Sequence, residues 1–205
     1  MIIVWLPYPN LRLSVHVLDS QILGVQISQC LHILSMIAGH REGGRNKYHS
    51  TTLSWHHNPS ALALYTEYAL QEMSLRGQDR GLPSPRSREG RKLYDFPAEW
   101  AEEDPLMPEW LGLERIHASH RAALLKKDIG WYSQFAWHET PVLNLQWPGK
   151  MPRVGDSVVS KTGEVCIVHS FDSSRRPVLV QKGELVPVDR VAVYSGEWRR
   201  CVVVE

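Results

Sequence analysis

The chain of 205 residues is poor in phenylalanine, with three, and has only three cysteines, Cys30, Cys166 and Cys201. They lie far apart, are odd in number and form no CxxC pair. That excludes a disulfide framework or a cysteine-rich zinc site and makes a reducing compartment the expected home. Long hydrophobic runs are missing as well. The apolar start, Ile2 to Leu6, stops at Pro7 and has no basic region before it, so it does not read as a signal peptide. No stretch approaches the roughly 20 apolar residues of a membrane-spanning helix. Charge of one sign is also lacking: Lys+Arg 23 stands against Asp+Glu 22, a formal net charge of +1. Such a balance carries no global signature of a nucleic-acid or membrane binder. What the chain has in excess is tryptophan and histidine, 8 and 10 residues, beside a hydrophobic fraction of 43% that is sufficient for a core. A cytoplasmic protein with one ordinary domain and a smaller second one is expected.

Met1–Trp5 reads as a short buried β-like run, ended by Pro7-Tyr8-Pro9-Asn10. Asp19 is a suitable N-cap for a helix over about Ser20–Ala38, with Gly39 as its stop. Ile22, Leu23, Ile27, Cys30, Leu31, Leu34 and Ile37 form its core-facing stripe. Gln26, Gln29 and His32 recur every three residues along one side of it. After the break GHREGGRNK, Asn58-Pro59-Ser60 opens a second helix that runs to Gly77. Leu62, Tyr65, Ala69, Met73 and Arg76 share one of its faces, and Glu72 sits a step off it.

Residues 76–92 are a loop by composition, with six basic and two acidic residues, and 95–109 carry six acids and no base. The whole stretch 76–109 is expected to be a variable, solvated, charged linker, the sharper alternative being a basic flap over a phosphate backbone. Arg115–Lys127 is a third helix, ended near Gly130. From Met151 the pattern changes to short alternating strands separated by Gly, Ser-Ser and Lys-Gly turns. Four or five such strands suggest a small SH3-like or Tudor-like barrel. Neither part is basic: residues 1–150 carry 15 basic and 15 acidic residues, and 151–205 carry 8 and 7.

Three segments in the same order resemble one family. WLPYPNLRLSVHVLDSQILGVQ is similar to an opening of the type FLPYPDFxxSAxxLDxxRLGKQRxE. NKYHSTTLSWHHNPSALALYTEYALQEMSLRG resembles WRNHPAVxMWRGYxxALxxYxxxxCxEWxxRG. SHRAALLKKDIGWYSQFAWHETPVLNLQWP resembles SHRSNLLRKDPxxYxxxFxxxxPxxLPYVWP. These motifs belong to a group common in actinobacteria and phages and related to the endonuclease V-type pyrimidine-dimer DNA glycosylases. The resemblance covers residues 1–148 and implies a mainly helical glycosylase-like domain there. It does not explain residues 151–205, the expected SH3-like β-barrel.

The resemblance further implies double-stranded DNA with a damaged or modified base as partner, and no metal or other cofactor. In such glycosylases the N-terminal α-amine attacks C1′ of the sugar and forms a Schiff base, and a glutamate on the first long helix moves the protons. The base is reached by flipping or distorting the duplex. In this chain the nucleophile falls on Met1, expected to be retained because Ile2 is bulky. The family's Lys and Arg in GKQR fall on Val25 and Ile27, while Gln26 is kept. The glutamate falls on Gln29, which preserves volume and hydrogen bonding but cannot exchange a proton in the needed range.

Glu72 matches a family glutamate on the second helix and is the substitute acid, its alternative role being a helix-surface ion pair. His49, Trp55, His120, Arg121, Lys126 and Lys127 complete the candidate nucleic-acid contacts. For the lysine pair the alternative is complementing the helix dipole, and for Trp55 and Trp147 it is a place in the core. His49, His56 and His57, with the pair His117 and His120, lack Cys, Asp or Glu at ligand spacing, so no metal site is expected.

The expected function is that of a DNA-interacting protein related to base-excision N-glycosylases and AP lyases, degenerate at its acid/base. If active, it would cleave an N-glycosidic bond. Two alternatives stay open. One is a structural or adaptor protein, of phage origin and even virion-associated, whose barrel binds a protein partner. The other is a nucleotide-binding module.

Overall fold

The fold is that of a computed structural model, which describes residues 2–40, 50–146, 154–155, 157–160, 165–171, 177–181, 184–187 and 198–200. Among these residues there are seven α-helices followed by five β-strands. None of the helices is long and apolar enough to cross a membrane.

Each helix of the N-terminal region starts or stops where local chemistry dictates. The Asn10 side chain accepts from Leu13 N and opens α1, Leu11–His16. Asp19 does the same for Ile22 N at 2.8 Å and opens α2, Ser20–Ile37. At its other end Gly39 takes a φ of +84°, and His40 N and Gly39 N bond back to Ser35 O and Met36 O at 3.1 and 3.3 Å. That closure needs a left-handed residue, and glycine adopts it without a Cβ penalty. After α3, Ser50–Trp55, a proline-led α4 covers Pro59–Leu75 and ends in the same way at Gly77, φ +69°. Helices α1 and α2 both pack on α4. Leu23, Ile27 and Leu34 of α2 join Leu62, Tyr65 and Ala69 of α4 in one core, each fully or almost fully buried.

The charged stretch 76–109 is docked and partly helical, and this corrects its reading as a solvated linker. Ser87 caps a short helix α5, Arg88–Tyr94, and 3-10 turns follow at Ala98–Ala101 and Glu109–Gly112. Phe96, Trp100 and Leu111 are 6% exposed and belong to the main core. Two aromatic anchors within the stretch, and Leu111 just after it, outweigh the average composition, because each buries its whole side chain. Arg86 is itself tied down, on Glu67 at 2.5 Å and on the carbonyl of Glu102.

Helix α6 covers Glu114–Lys127, and Asp128 caps a short α7, Ile129–Tyr132. The ring of Tyr132 stacks on Trp137 at 5.6 Å, and its hydroxyl donates to Asp19 Oδ2 at 2.7 Å. One end of the helical region is thereby fastened to the cap of α2.

The C-terminal strands are β1 Ser157–Ser160, β2 Val165–Phe171, β3 Pro177–Gln181, β4 Glu184–Pro187 and β5 Trp198–Arg200. They form one antiparallel sheet in the order β4-β3-β2-β1-β5. Cys166 and Val168 are buried while Ile167 between them is 51% exposed, the alternation of a sheet with one covered face. Among the described residues no pairing joins β4 to β5, so the sheet is open.

Candidate functional site

The site is built around the segment at the start of the chain. Ile2–Leu6 is buried or half-buried yet pairs with no strand among the described residues, so its backbone groups need partners from elsewhere. Side chains provide them. Gln26 donates its Nε2 to Ile3 O at 2.8 Å and accepts from Trp5 N at 2.7 Å, taking the place of a neighbouring strand. Gln29 Oε1 accepts from Ile3 N at 3.2 Å, and Thr51 donates to Ile2 O at 3.0 Å. Tyr65 donates its hydroxyl to Trp5 O at 2.7 Å.

Helix α6 completes the clamp. His120 Nδ1 accepts from Leu6 N at 3.0 Å, His117 Nδ1 meets Leu6 O at 2.8 Å, and Arg121 donates to Pro7 O at 2.8 Å. A ring that accepts at Nδ1 is neutral and carries its proton on Nε2. Burial, with His117 adding to it, accordingly pushes the His120 pKa down to about 3 against an opposing bond to the backbone of Gln146. Burial opposes the charge of Arg121, but hydrogen bonds and charge from Glu139 and Glu114 outweigh it and hold its pKa above the ordinary value.

Beside the start of this segment lies an open cleft of about 360 Å³, lined by Ile2, Gly24, Val25, Ser28, Gln29, His32 and Arg80. Helix α2 supplies five of the seven at helical spacing, so they share one wall. Arg80 arrives from the loop after α4 and donates to Gly24 O at 3.4 Å. The cleft therefore offers an amide, a hydroxyl, an imidazole and a guanidinium in an otherwise apolar setting.

The structure brings some of the expected site residues together here and leaves others apart. Gln29 lines the cleft, while Gln26 is fully buried behind it as part of the clamp. His120 and Arg121 sit on the far half of the same clamp, and neither lines the cleft. Arg121 is held by Glu114 and by Glu139. Glu72 pairs with Arg76 at 2.9 Å and with His16 at 3.3 Å, away from the lining residues. Trp55 is fully buried, edge-on to Trp110 at 5.1 Å. Lys126 and Lys127 are exposed in the last turn of α6. Met1, His49 and Trp147 lie outside the described residues.

Of the two positions where the resemblance places cations, Val25 is 51% exposed at the cleft and Ile27 is fully buried in the core. Sequence reasoning missed Ser28 and Arg80. Ser28 shares the face of Val25, Gln29 and His32, a periodicity that could have exposed it. Arg80 left no such signal, being 56 positions from its contact at Gly24.

No curated protein and no solved structure matches the chain. Residues 2–83 match the model of a family described as pyrimidine dimer DNA glycosylase. The matched stretch holds the extended segment, the helices from α1 to α4 and every residue that lines the cleft. The likeness to the pyrimidine dimer DNA glycosylase family thus covers the N-terminal segment, residues 2–83 of the 205.

Proposed function

We propose that the protein is a DNA-interacting relative of the base-excision glycosylases that receives a damaged or modified nucleotide of duplex DNA in the cleft, without the acid/base step. The observation that carries this reading is the place of Gln29. It lines the cleft and accepts from Ile3 N at 3.2 Å, beside the start of the chain. A carboxylate there could accept the same bond and also move a proton, and the amide keeps the bond alone. The mononucleotide scale of the cleft suits an extruded nucleotide.

Borohydride trapping and strand nicking on duplexes with an abasic site or a pyrimidine dimer test this, using wild type and Gln29→Glu. Wild type should prefer the lesion duplex over undamaged DNA yet form no covalent adduct, and Gln29→Glu should gain adduct and nicking. Efficient trapping by wild type would make it an active lyase, and equal affinity for both duplexes would remove the lesion-recognition reading.

A second reading, the adaptor protein, is favoured by the way Arg76, Arg86 and Arg121 are spent on internal carboxylates. DNA binding without a salt-dependent slope would select it. The strand order β4-β3-β2-β1-β5 supports an SH3-like barrel for residues 151–205, since closure would need only β4 and β5 to meet. That unit would then hold a protein partner.

A further inference from the structure

We infer that Arg80 is the phosphate-contacting residue of the cleft, delivered by the loop after α4 and seated on the bare backbone of Gly24. The inference rests on the reading of the cleft as a nucleic-acid site and names the group that would hold the backbone there. Three observations carry it. First, three other arginines among the described residues of the helical region are consumed. Arg76 is bound to Glu72 and to two backbone carbonyls, Arg86 to Glu67, and Arg121 to Glu114 and Glu139. Arg80 has no carboxylate partner among the described residues, and the carboxylate of its neighbour Asp79 accepts from Gly81 N instead. Its one hydrogen bond among the described residues, at 3.4 Å to Gly24 O, engages a single donor of the five a guanidinium carries.

Second, the seat is shaped for it. A Cβ on Gly24 would come within 3.1 Å of Arg80 Cζ and closer still to NH2, so only glycine at this point of α2 lets the guanidinium lie there. Third, the chemistry around it is that of an anion site. Ser28, Gln29 and His32 line the same cleft, and among the described residues no acidic one does. A planar fork of donors beside a hydroxyl, an amide and an imidazole fits the oxygens of a phosphate.

Two variants separate the seat from the charge. Arg80→Gln removes the cation. Gly24→Ala keeps it but displaces it, while improving the helix propensity of α2. Inorganic phosphate is the first probe, followed through the Arg80 Nε–H signal by NMR, which Arg80→Gln identifies by its disappearance. In wild type the signal should shift saturably. In Gly24→Ala it should not, with an unfolding temperature no lower than wild type. A duplex with a tetrahydrofuran abasic site is the second probe. Both variants should flatten the slope of log K against log salt by about 0.9, the loss of one phosphate contact.

A shift with phosphate in wild type but no binding of the duplex would keep the phosphate seat and remove the DNA reading. Duplex binding with an unchanged slope in both variants would keep the DNA reading and overturn the role of Arg80. A flattened slope in Arg80→Gln alone would overturn the part assigned to Gly24.

Discussion

Lowering the pH from 7 to 5 should destabilise the folded protein through one residue, His120. In the folded state its ring is buried, accepts from Leu6 N and is held neutral, with a pKa of about 3 against 6.5 for the free side chain. Below pH 6.5 the unfolded chain therefore binds a proton that the folded chain refuses, and stability falls as pH falls, a loss that continues until pH approaches 3. Between pH 7 and pH 5 linkage gives about 2 kcal/mol for this group. For a chain of this size that corresponds to roughly 4–8 °C in melting temperature.

The carboxylate of Glu139, which would otherwise enter this window from below, is held under its usual range: burial opposes its charge, and the hydrogen bond from Arg121 overcomes that. The assay is urea unfolding at closely spaced pH values, for wild type and for His120→Asn, whose Oδ1 can replace Nδ1 as the acceptor. His120→Asn costs stability at pH 7, but its decline toward pH 5 should be shallower than that of wild type by the same 2 kcal/mol. Parallel curves for the two proteins would refute the reasoning, since the ring would then titrate freely in the folded state.

Gln26→Leu should cost about 2–4 kcal/mol in chemical unfolding, because it leaves Ile3 O and Trp5 N buried without their partner, and Gln26→Glu should not restore both bonds. Arg121→Lys should lose about 1–2 kcal/mol, as an ammonium cannot serve Pro7 O, Glu114 and Glu139 together. It should leave the salt dependence of DNA binding unchanged, and a shallower slope would show a phosphate contact instead. Cys30, fully buried with its thiol pushed up to about 12 chiefly by burial, should react with iodoacetamide at pH 8 on the order of 10³-fold more slowly than in urea. Mass spectrometry of the labelled peptide reads this directly. Tyr132→Phe should lower stability by about 1–2 kcal/mol through the lost bond to Asp19, measurable as a lower melting temperature.

The helix ends were legible because their chemistry is local. Asp19, Asn58-Pro59, Gly39 and Gly77 mark α2 and α4 within a residue or two, and Lys126 and Lys127 mark the end of α6. The stretch 76–109 was misread because composition averages over a window, whereas Phe96 and Trp100 each act alone. The histidine excess was visible as an excess but not as a purpose. His117 and His120 both serve the backbone of Leu6, over 100 positions away, and no spacing rule reports that.

The candidate site divides in the same manner. Resemblance placed Gln29 and the cation positions Val25 and Ile27 on one helix, and periodicity put Gln26, Gln29 and His32 along one side. It could not say that Gln26 turns inward as a substitute strand while Gln29 faces a cleft, because both share that side until a neighbouring chain segment separates them.

By itself the sequence determined where the long helices begin and end, which of their faces are apolar, and that the C-terminal part is made of short strands. Caps and periodicities act over a few residues and need no knowledge of the rest of the chain. Only the tertiary structure decided what covers Ile2–Leu6, that Arg76, Arg86 and Arg121 are spent on carboxylates, and that Arg80 reaches the cleft. Those outcomes depend on buried backbone groups finding partners across 21 to 114 residues of sequence, and on Gly24 leaving room for a side chain from another loop.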